Sequence, residues 1–426
     1  MKTSQRNTPC IAMQQPPAPQ PQPPIPLNDD LASHPASMPP DFPRYGTSVL
    51  QRAERLSQRL YFPLTGESSV ESNVLVSVPE PQVEDDDESD YDDSIDSSKL
   101  REKEVSATPL PSRAYWIRNT IRHAIYGSVR LGIVLQRRVT SALEEVEWEV
   151  TSDLCAVKEM DWNRIREGRG RLTESPIQEV KALQYLKRNS ETMRPQHVLV
   201  PLDLFGDSRY LYIIQPFCEG GELFSLLERQ RDNQFSENEA RFWMRQILLG
   251  LGELQRLKIC HRDISLENLM IRNQRSLVID FGMCIYIPFY DYALDDEQSR
   301  LGLRQQRLLL TPQGTCGKWH YMAPEIAANQ EPFDGFAVDL WAAGVILFIM
   351  LLGYPPWSRA HDADERFRCM SRGYMSALLT HWSRESNSRE LSAEAMDLLQ
   401  KMLYKDPKHR LSLRQVCSHP WFQMEE

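Results

Sequence analysis

Three observations predict an α+β fold: a small strand-rich lobe, then a larger helical lobe, with a cleft between them. Valine, tryptophan, threonine and other strand-favouring residues gather in short extended runs between residues 115 and 217. Helical periodicity dominates from 237 to 417. The text before residue 110 differs in composition from everything that follows. Strands followed by helices, rather than alternating with them, argue for segregated layers.

The chain has 426 residues and a formal charge of −10. Residues 1–110 carry 9 Lys/Arg and 18 Asp/Glu, so nearly all of that charge sits there. Residues 16–24 are mostly proline and residues 84–96 mostly acidic. Such a segment cannot bury enough apolar surface to offset its ordering entropy, so a disordered tail is expected over 1–110. A folded domain is expected over 114–423, with lobes at about 114–215 and 219–423. The near-neutral balance outside the tail gives no reason to expect nucleic acid as a partner. Within the tail, Val49, Leu50, Leu56, Leu60, Tyr61 and Phe62 fall near helical spacing, with Arg52, Arg55 and Arg59 between them. A docking helix for a partner and a transient helix are the two readings. Ser89 lies three residues before Asp92, as an acidophilic phosphorylation site would.

None of the eight cysteines forms a CxxC pair, and several sit in apolar runs. Reduced thiols in a cytoplasmic or nuclear protein are expected. The longest apolar run, 340–353, falls short of the roughly 20 residues a membrane span needs, so a buried core helix is expected. No secretory signal is expected, since no apolar core follows the N-terminal charge.

The elements are justified in order. Runs at 115–122, 128–136 and 147–160 read as strands. Residues 176–187 read as a helix, with Val180, Leu183 and Leu186 on one face. Short apolar runs follow at 198–204 and 210–217. Ser236 is placed to cap a helix over 237–256, with Glu239 completing a capping box. Further helices are expected at 338–352, 393–404 and 413–417.

Phosphoryl transfer needs metal ions on the phosphates, a cation on the α/β-phosphates and a carboxylate that orients the attacking hydroxyl. The stretch His261-Arg262-Asp263-Ile264-Ser265-Leu266-Glu267-Asn268, then Asp280-Phe281-Gly282 and Ala323-Pro324-Glu325, offers these groups in order. With Cys155-Ala156-Val157-Lys158 upstream, the chain resembles a eukaryotic protein kinase of the Ser/Thr type from about 115 to 422. Gly353-Tyr354-Pro355-Pro356-Trp357 and His419-Pro420-Trp421-Phe422 look most like the calcium/calmodulin-dependent kinase group. The resemblance implies the bilobal protein-kinase fold, ATP and Mg²⁺ as cofactors, and protein substrates.

It also implies roles. Asp263 orients the acceptor hydroxyl, and Asn268 and Asp280 hold Mg²⁺. Lys158 contacts the α/β-phosphates, and Glu179 is its expected partner, with Glu174 the competing carboxylate. Val129 and Ala156 cover the adenine from above and Met270 from below. Pro216 offers its carbonyl and Cys218 its N–H to the ring, with Gln215 at the gatekeeper position. Gly127 ends a degenerate glycine loop whose first two glycines are replaced by Arg122 and Ala124. Asp339 anchors the catalytic loop's backbone, and Glu325 pairs with Arg410.

The family usually writes H-R-D-L-K-P-E-N, so Ser265 stands where a lysine touches the γ-phosphate. Downstream, Lys318 stands where a threonine meets the catalytic aspartate. The two residues are exchanged. Lys318 is expected to reach Asp263 and the γ-phosphate while Ser265 supplies the hydroxyl. The other reading leaves Lys318 in solvent and makes the enzyme weak. Glu222 and Glu267 match positions that bind basic side chains in basophilic relatives, so arginine two or three residues before the acceptor is expected. Arg262 marks a kinase whose activation segment is ordered by a phosphate, on Ser299, Thr311 or Thr315. The alternative function is a pseudokinase that binds nucleotide or scaffolds. The thin glycine loop and Ser265 support it, and intact Lys158, Asp263, Asn268 and Asp280 oppose it.

Overall fold

Along the central strand, buried Cys155 and Val157 alternate with half-buried Ala156 and Lys158, the period-two signature of a sheet with one apolar face. The computed structural model describes residues 74–76, 113–139, 146–168, 174–206, 209–291, 305–386 and 390–424. The tail's candidate helix, Ser89 and Ser299 lie outside the described residues. Chain contacts divide these residues into two units.

The first unit holds the described residues up to 168 together with 200–217. Its strands are β1 (Val74–Val76), β2 (Arg113–Ala124), β3 (Gly127–Val139), β4 (Val146–Asp161), β5 (Asp203–Gly206) and β6 (Tyr210–Pro216). They form one antiparallel sheet in the order β1-β2-β3-β4-β6-β5. Cys155 and Val157 pack with Tyr115, Ile117, Val134, Tyr212 and Ile214 into the apolar core on one face. Helix α1 (Trp162–Gly168) follows β4. The expected strands are all present. Strand β1 lies in the segment expected to be disordered; it pairs with β2 in the register Leu75 opposite Tyr115. Three residues carry too little pattern to read as a strand.

The second unit holds residues 174–199 and 218–424. Helix α2 (Pro176–Met193) starts where Ser175 accepts from the Gln178 N–H, with Pro176 in the first turn. It buries Leu183 and Leu186, as expected, together with Ala182 and Glu179; Val180, expected on the same face, is only half-buried. Helix α3 (Leu223–Glu228) follows strand β7 (Gly221–Glu222). Helix α4 (Glu237–Arg256) carries the complete capping box of Ser236 and Glu239. Strands β8 (Ile259–Cys260), β9 (Leu269–Arg272) and β10 (Arg275–Val278) bracket the catalytic loop.

Helix α5 (Pro324–Ala328) precedes α6 (Gly335–Leu352). Helix α6 is the only described helix long and apolar enough to cross a membrane, and all of it is buried within the unit. It begins three residues before the expected start because Asp334 accepts from the Phe336 and Ala337 N–H groups. It ends at Gly353, whose φ of +80° suits the left-handed cap. Its Trp341 stacks on Trp357 at 5.2 Å between ring centres. Helices α7 (Glu365–Cys369), α8 (Met375–Ser386), α9 (Ala393–Met402) and α10 (Leu413–Cys417) complete the unit. The described cysteines are all free thiols, and only Cys417 is exposed.

Candidate active site

In the first unit, Val129 lies opposite Lys158 and Leu131 opposite Ala156 across β3 and β4. Directly paired residues share a face, and so do residues two apart on one strand. Val129, Ala156 and Lys158 therefore stand together on the face opposite the apolar core. Gln215 pairs with Ala156 across β4 and β6, which puts it on that face too, and Pro216 ends β6 one residue on. The degenerate glycine loop is a tight hairpin, paired to its tip where Ala124 faces Gly127. A Cβ on Gly127 would sit 2.0 Å from the Glu159 carbonyl oxygen. Close approach of two strands thus explains this glycine without any phosphate.

In the second unit, the catalytic loop is pinned from α6. Asp339 accepts from the backbone N–H of His261 at 2.8 Å and of Arg262 at 2.9 Å. Burial pushes the Asp339 carboxyl above its usual range, while His261 and the two N–H bonds pull it back. The His261 ring meets the Ile279 carbonyl at 2.9 Å and stands edge-on to Phe281. Arg262 and Asp280 take left-handed backbone conformations, with φ of +65° and +67°. Such conformations in non-glycine residues collect where the surroundings over-determine them.

Within this frame Asn268 donates from Nδ2 to the Asp263 backbone oxygen and to Asp263 Oδ2, both at 2.8 Å. The carboxylate is thereby oriented. Burial pushes the Asp263 carboxyl up; the Lys318 ammonium and the Asn268 amide work against that. Asp263 Oδ1 is buried and accepts no bond of full hydrogen-bond geometry. The Ile279 N–H donates to the Asn268 carbonyl at 3.0 Å, which ties Asp280 to the loop. Because the Asn268 amino group is spent on Asp263, its Oδ1 is left as an acceptor. Together with the Asp280 carboxylate it makes a hard-oxygen donor set, which fits a hard divalent cation.

Carboxylate oxygens of Glu174, Glu179 and Asp280 lie within 4.8 Å of one another. Both candidate glutamates therefore approach Asp280. Ser175 reinforces the approach, its N–H donating to the Gly282 carbonyl at 3.0 Å. Cys218 and Met270 share an apolar cluster with Leu199, Leu277 and Ile279. Burial pushes the Cys218 thiol up to about 12, so it stays protonated and inert.

The Lys318 side chain is partly exposed, but its ammonium is bonded. Its Nζ donates to Ser265 Oγ at 2.6 Å and reaches Glu267 Oε2 at 3.4 Å. Ser265 itself is fully buried. The two residues singled out in the sequence, 53 positions apart, are in contact. No direct bond joins Lys318 Nζ to Asp263 or Ser265 Oγ to Asp263 among the described contacts. Tyr321 also reaches this group through a hydrogen bond to Glu267. Its part was not read from the sequence. The available signal was its place three residues after Lys318, where a turn returns its N–H to the Lys318 carbonyl at 3.0 Å.

A model of the protein kinase domain family matches residues 145–422. The chain belongs to the protein kinase family. Members of this family in general use ATP and a divalent metal. This kinase-family chain is 34% identical over 228 residues to the serine/threonine-protein kinase GIN4 of Saccharomyces cerevisiae, covering 53% of this chain and 17% of that protein. It is 33% identical over 226 residues to the probable serine/threonine-protein kinase KCC4 of the same yeast, covering 53% and 19%. Against CBL-interacting protein kinase 30 of Oryza sativa it is 29% identical over 306 residues, covering 70% and 55%. The match thus spans less than a quarter of the two yeast proteins. The Glu325–Arg410 pair implied by the resemblance is formed twice over, at 2.6 Å on each guanidinium nitrogen.

Proposed function

We propose that the chain is a serine/threonine protein kinase that transfers the γ-phosphoryl group of ATP to protein hydroxyls. One observation carries the reading: the Asp263 carboxylate is oriented by the Asn268 amide and the Lys318 backbone N–H on a loop pinned by Asp339. A carboxylate preorganised in this way can align an acceptor hydroxyl. Asp263 then aligns that hydroxyl and takes its proton as the hydroxyl oxygen bonds to the γ-phosphorus and the bond from that phosphorus to the bridging oxygen of ADP breaks.

The remaining roles follow the positions described above. Asn268 Oδ1 and the Asp280 carboxylate hold Mg²⁺, which when bound neutralises charge on the phosphate oxygens. In the first unit Lys158 is assigned to the α/β-phosphates, Val129 and Ala156 to an adenine face, Pro216 to its edge, and Gly127 to the hairpin turn. In the second unit Met270 and the Cys218 backbone are assigned to adenine. Lys318 supplies the ammonium that the catalytic loop lacks, and Ser265 the hydroxyl that the activation segment lacks. The 2.6 Å Lys318–Ser265 contact supports that exchange over a solvent-exposed lysine. Arg262 Nη1 is buried without a bond, which favours a phosphate on exposed Thr311 or Thr315 as its partner. Unpaired thiols favour the cytoplasm or nucleus.

Transfer of radiolabelled γ-phosphate to a protein carrying Ser and Thr acceptors tests the proposal, wild type against Asp280→Asn. The variant should lose at least about 100-fold in rate, as removal of a charge-stabilising group does. Equal rates would sink the enzyme reading.

A further inference from the structure

We infer that Lys318 also sets substrate specificity: by pairing with Glu267 it withdraws that carboxylate from acceptor recognition. The enzyme then accepts Ser/Thr sequences that are neutral at the upstream position Glu267 would otherwise read. This inference rests on the kinase reading above.

Two glutamates were expected to draw arginine. Glu222 sits half-buried at the start of α3. Glu267 has Lys318 Nζ at 3.4 Å, and Tyr321 bonds to it as well. The Lys318–Glu267 pair is about one-third exposed, at 39% and 33% of the two side chains, so it lies at the surface an acceptor would meet. An arginine approaching Glu267 therefore meets a carboxylate and an ammonium together. Their fields oppose each other at the range where a lone carboxylate would attract. The arginine would also have to displace a cation already held from behind by buried Ser265 at 2.6 Å.

The same ammonium thus joins two tasks. Anchored on Ser265 it replaces the loop's missing cation, and from that anchor it can reach only as far as Glu267. Where the lysine stands in the loop and a threonine at 318, no ammonium is delivered to Glu267 from the activation segment. The exchange of residues therefore carries a specificity change with it. Tyr321 does not alter this, because a neutral hydroxyl leaves the carboxylate's charge in place.

Peptide kinetics test it on the full chain. Peptides with one Ser acceptor carry either Arg or Ala two or three residues upstream, and the Arg/Ala ratio of kcat/KM is taken at each position. In the otherwise unaltered chain, Glu267→Gln should change neither ratio by more than about 2-fold. Ser265→Lys with Lys318→Thr should raise one ratio about 10-fold, mainly through KM, and adding Glu267→Gln should abolish the rise. A 10-fold arginine preference in the wild type that Glu267→Gln removes would overturn the inference. So would an active double variant whose ratios match the wild type. The Glu267→Gln comparison decides the matter even if the double variant fails to fold. A wild-type chain that phosphorylates no peptide would overturn the kinase reading itself, and this inference with it.

Discussion

Ser265 is fully buried against the Lys318 ammonium, so what each can be replaced by is sharply constrained. Ser265→Lys alone would place two ammonium groups within a few ångströms of each other, and repulsion at that range is costly. Its rate should fall about 100-fold or more, in the range seen for loss of a preorganised charge. Ser265→Lys combined with Lys318→Thr should keep more activity than Ser265→Lys alone, because it restores one ammonium and one hydroxyl. Measured turnover of the two variants checks this; a double variant no better than the single one would count against the exchange. At this scale the sequence was informative because fixed landmarks, Asp263 and Ala323, number the positions on either side. It missed Glu267 as a partner of Lys318, because side-chain reach across 51 residues has no sequence period.

Helices and strands position these residues through a few buried polar contacts. Asp339→Ala would leave the His261 and Arg262 N–H groups buried without acceptors, each costing about 1–3 kcal/mol. The expected result is faster hydrogen exchange confined first to the catalytic loop, with lower unfolding stability. Unchanged protection there would contradict the anchoring role. The Arg410 side chain is 1% exposed and that of Glu325 15%. Arg410→Ala should therefore cost about 3–5 kcal/mol in chemical denaturation, since it strands a buried carboxylate. Glu325→Leu with Arg410→Met should cost less than the single change, since neither charge is left unpaired. Most long elements were legible from pattern, and α4 with its Ser236 cap was read to the residue, but the 12-residue α8 was missed. The short helices α3, α5 and α7 were not read, for five or six residues hold little of a 3.6-residue period, although the equally short α10 was placed at its observed bounds. Glu174 and Glu179 could not be separated either, for both carboxylates approach Asp280.

Across the helical unit, Glu237 gathers three distant parts of the chain. Its carboxylate accepts from the Ser392 N–H and hydroxyl at 2.7 Å each and from the Trp421 indole at 2.8 Å. Burial alone would raise the Glu237 carboxyl; these bonds and Arg241 outweigh it and hold the group below its usual value. A depressed folded value contributes stability above the unfolded value of about 4.3 and loses it as pH falls through the folded one. Thermal unfolding of the wild type should therefore weaken across that acid window more than unfolding of Glu237→Gln. Parallel curves would contradict this. The strand-then-helix order and the buried α6 told correctly on the fold, because each is a property of long stretches. Strand β1 was invisible for the opposite reason: its pairing is written in β2, not in its own three residues.

The central claim is that an ammonium carried by the activation segment serves the catalytic loop of an active kinase. Turnover of wild type and Lys318→Ala on one protein substrate, at saturating ATP, tests it most directly. A fall of about 100-fold or more is the predicted result. Equal turnover would contradict it.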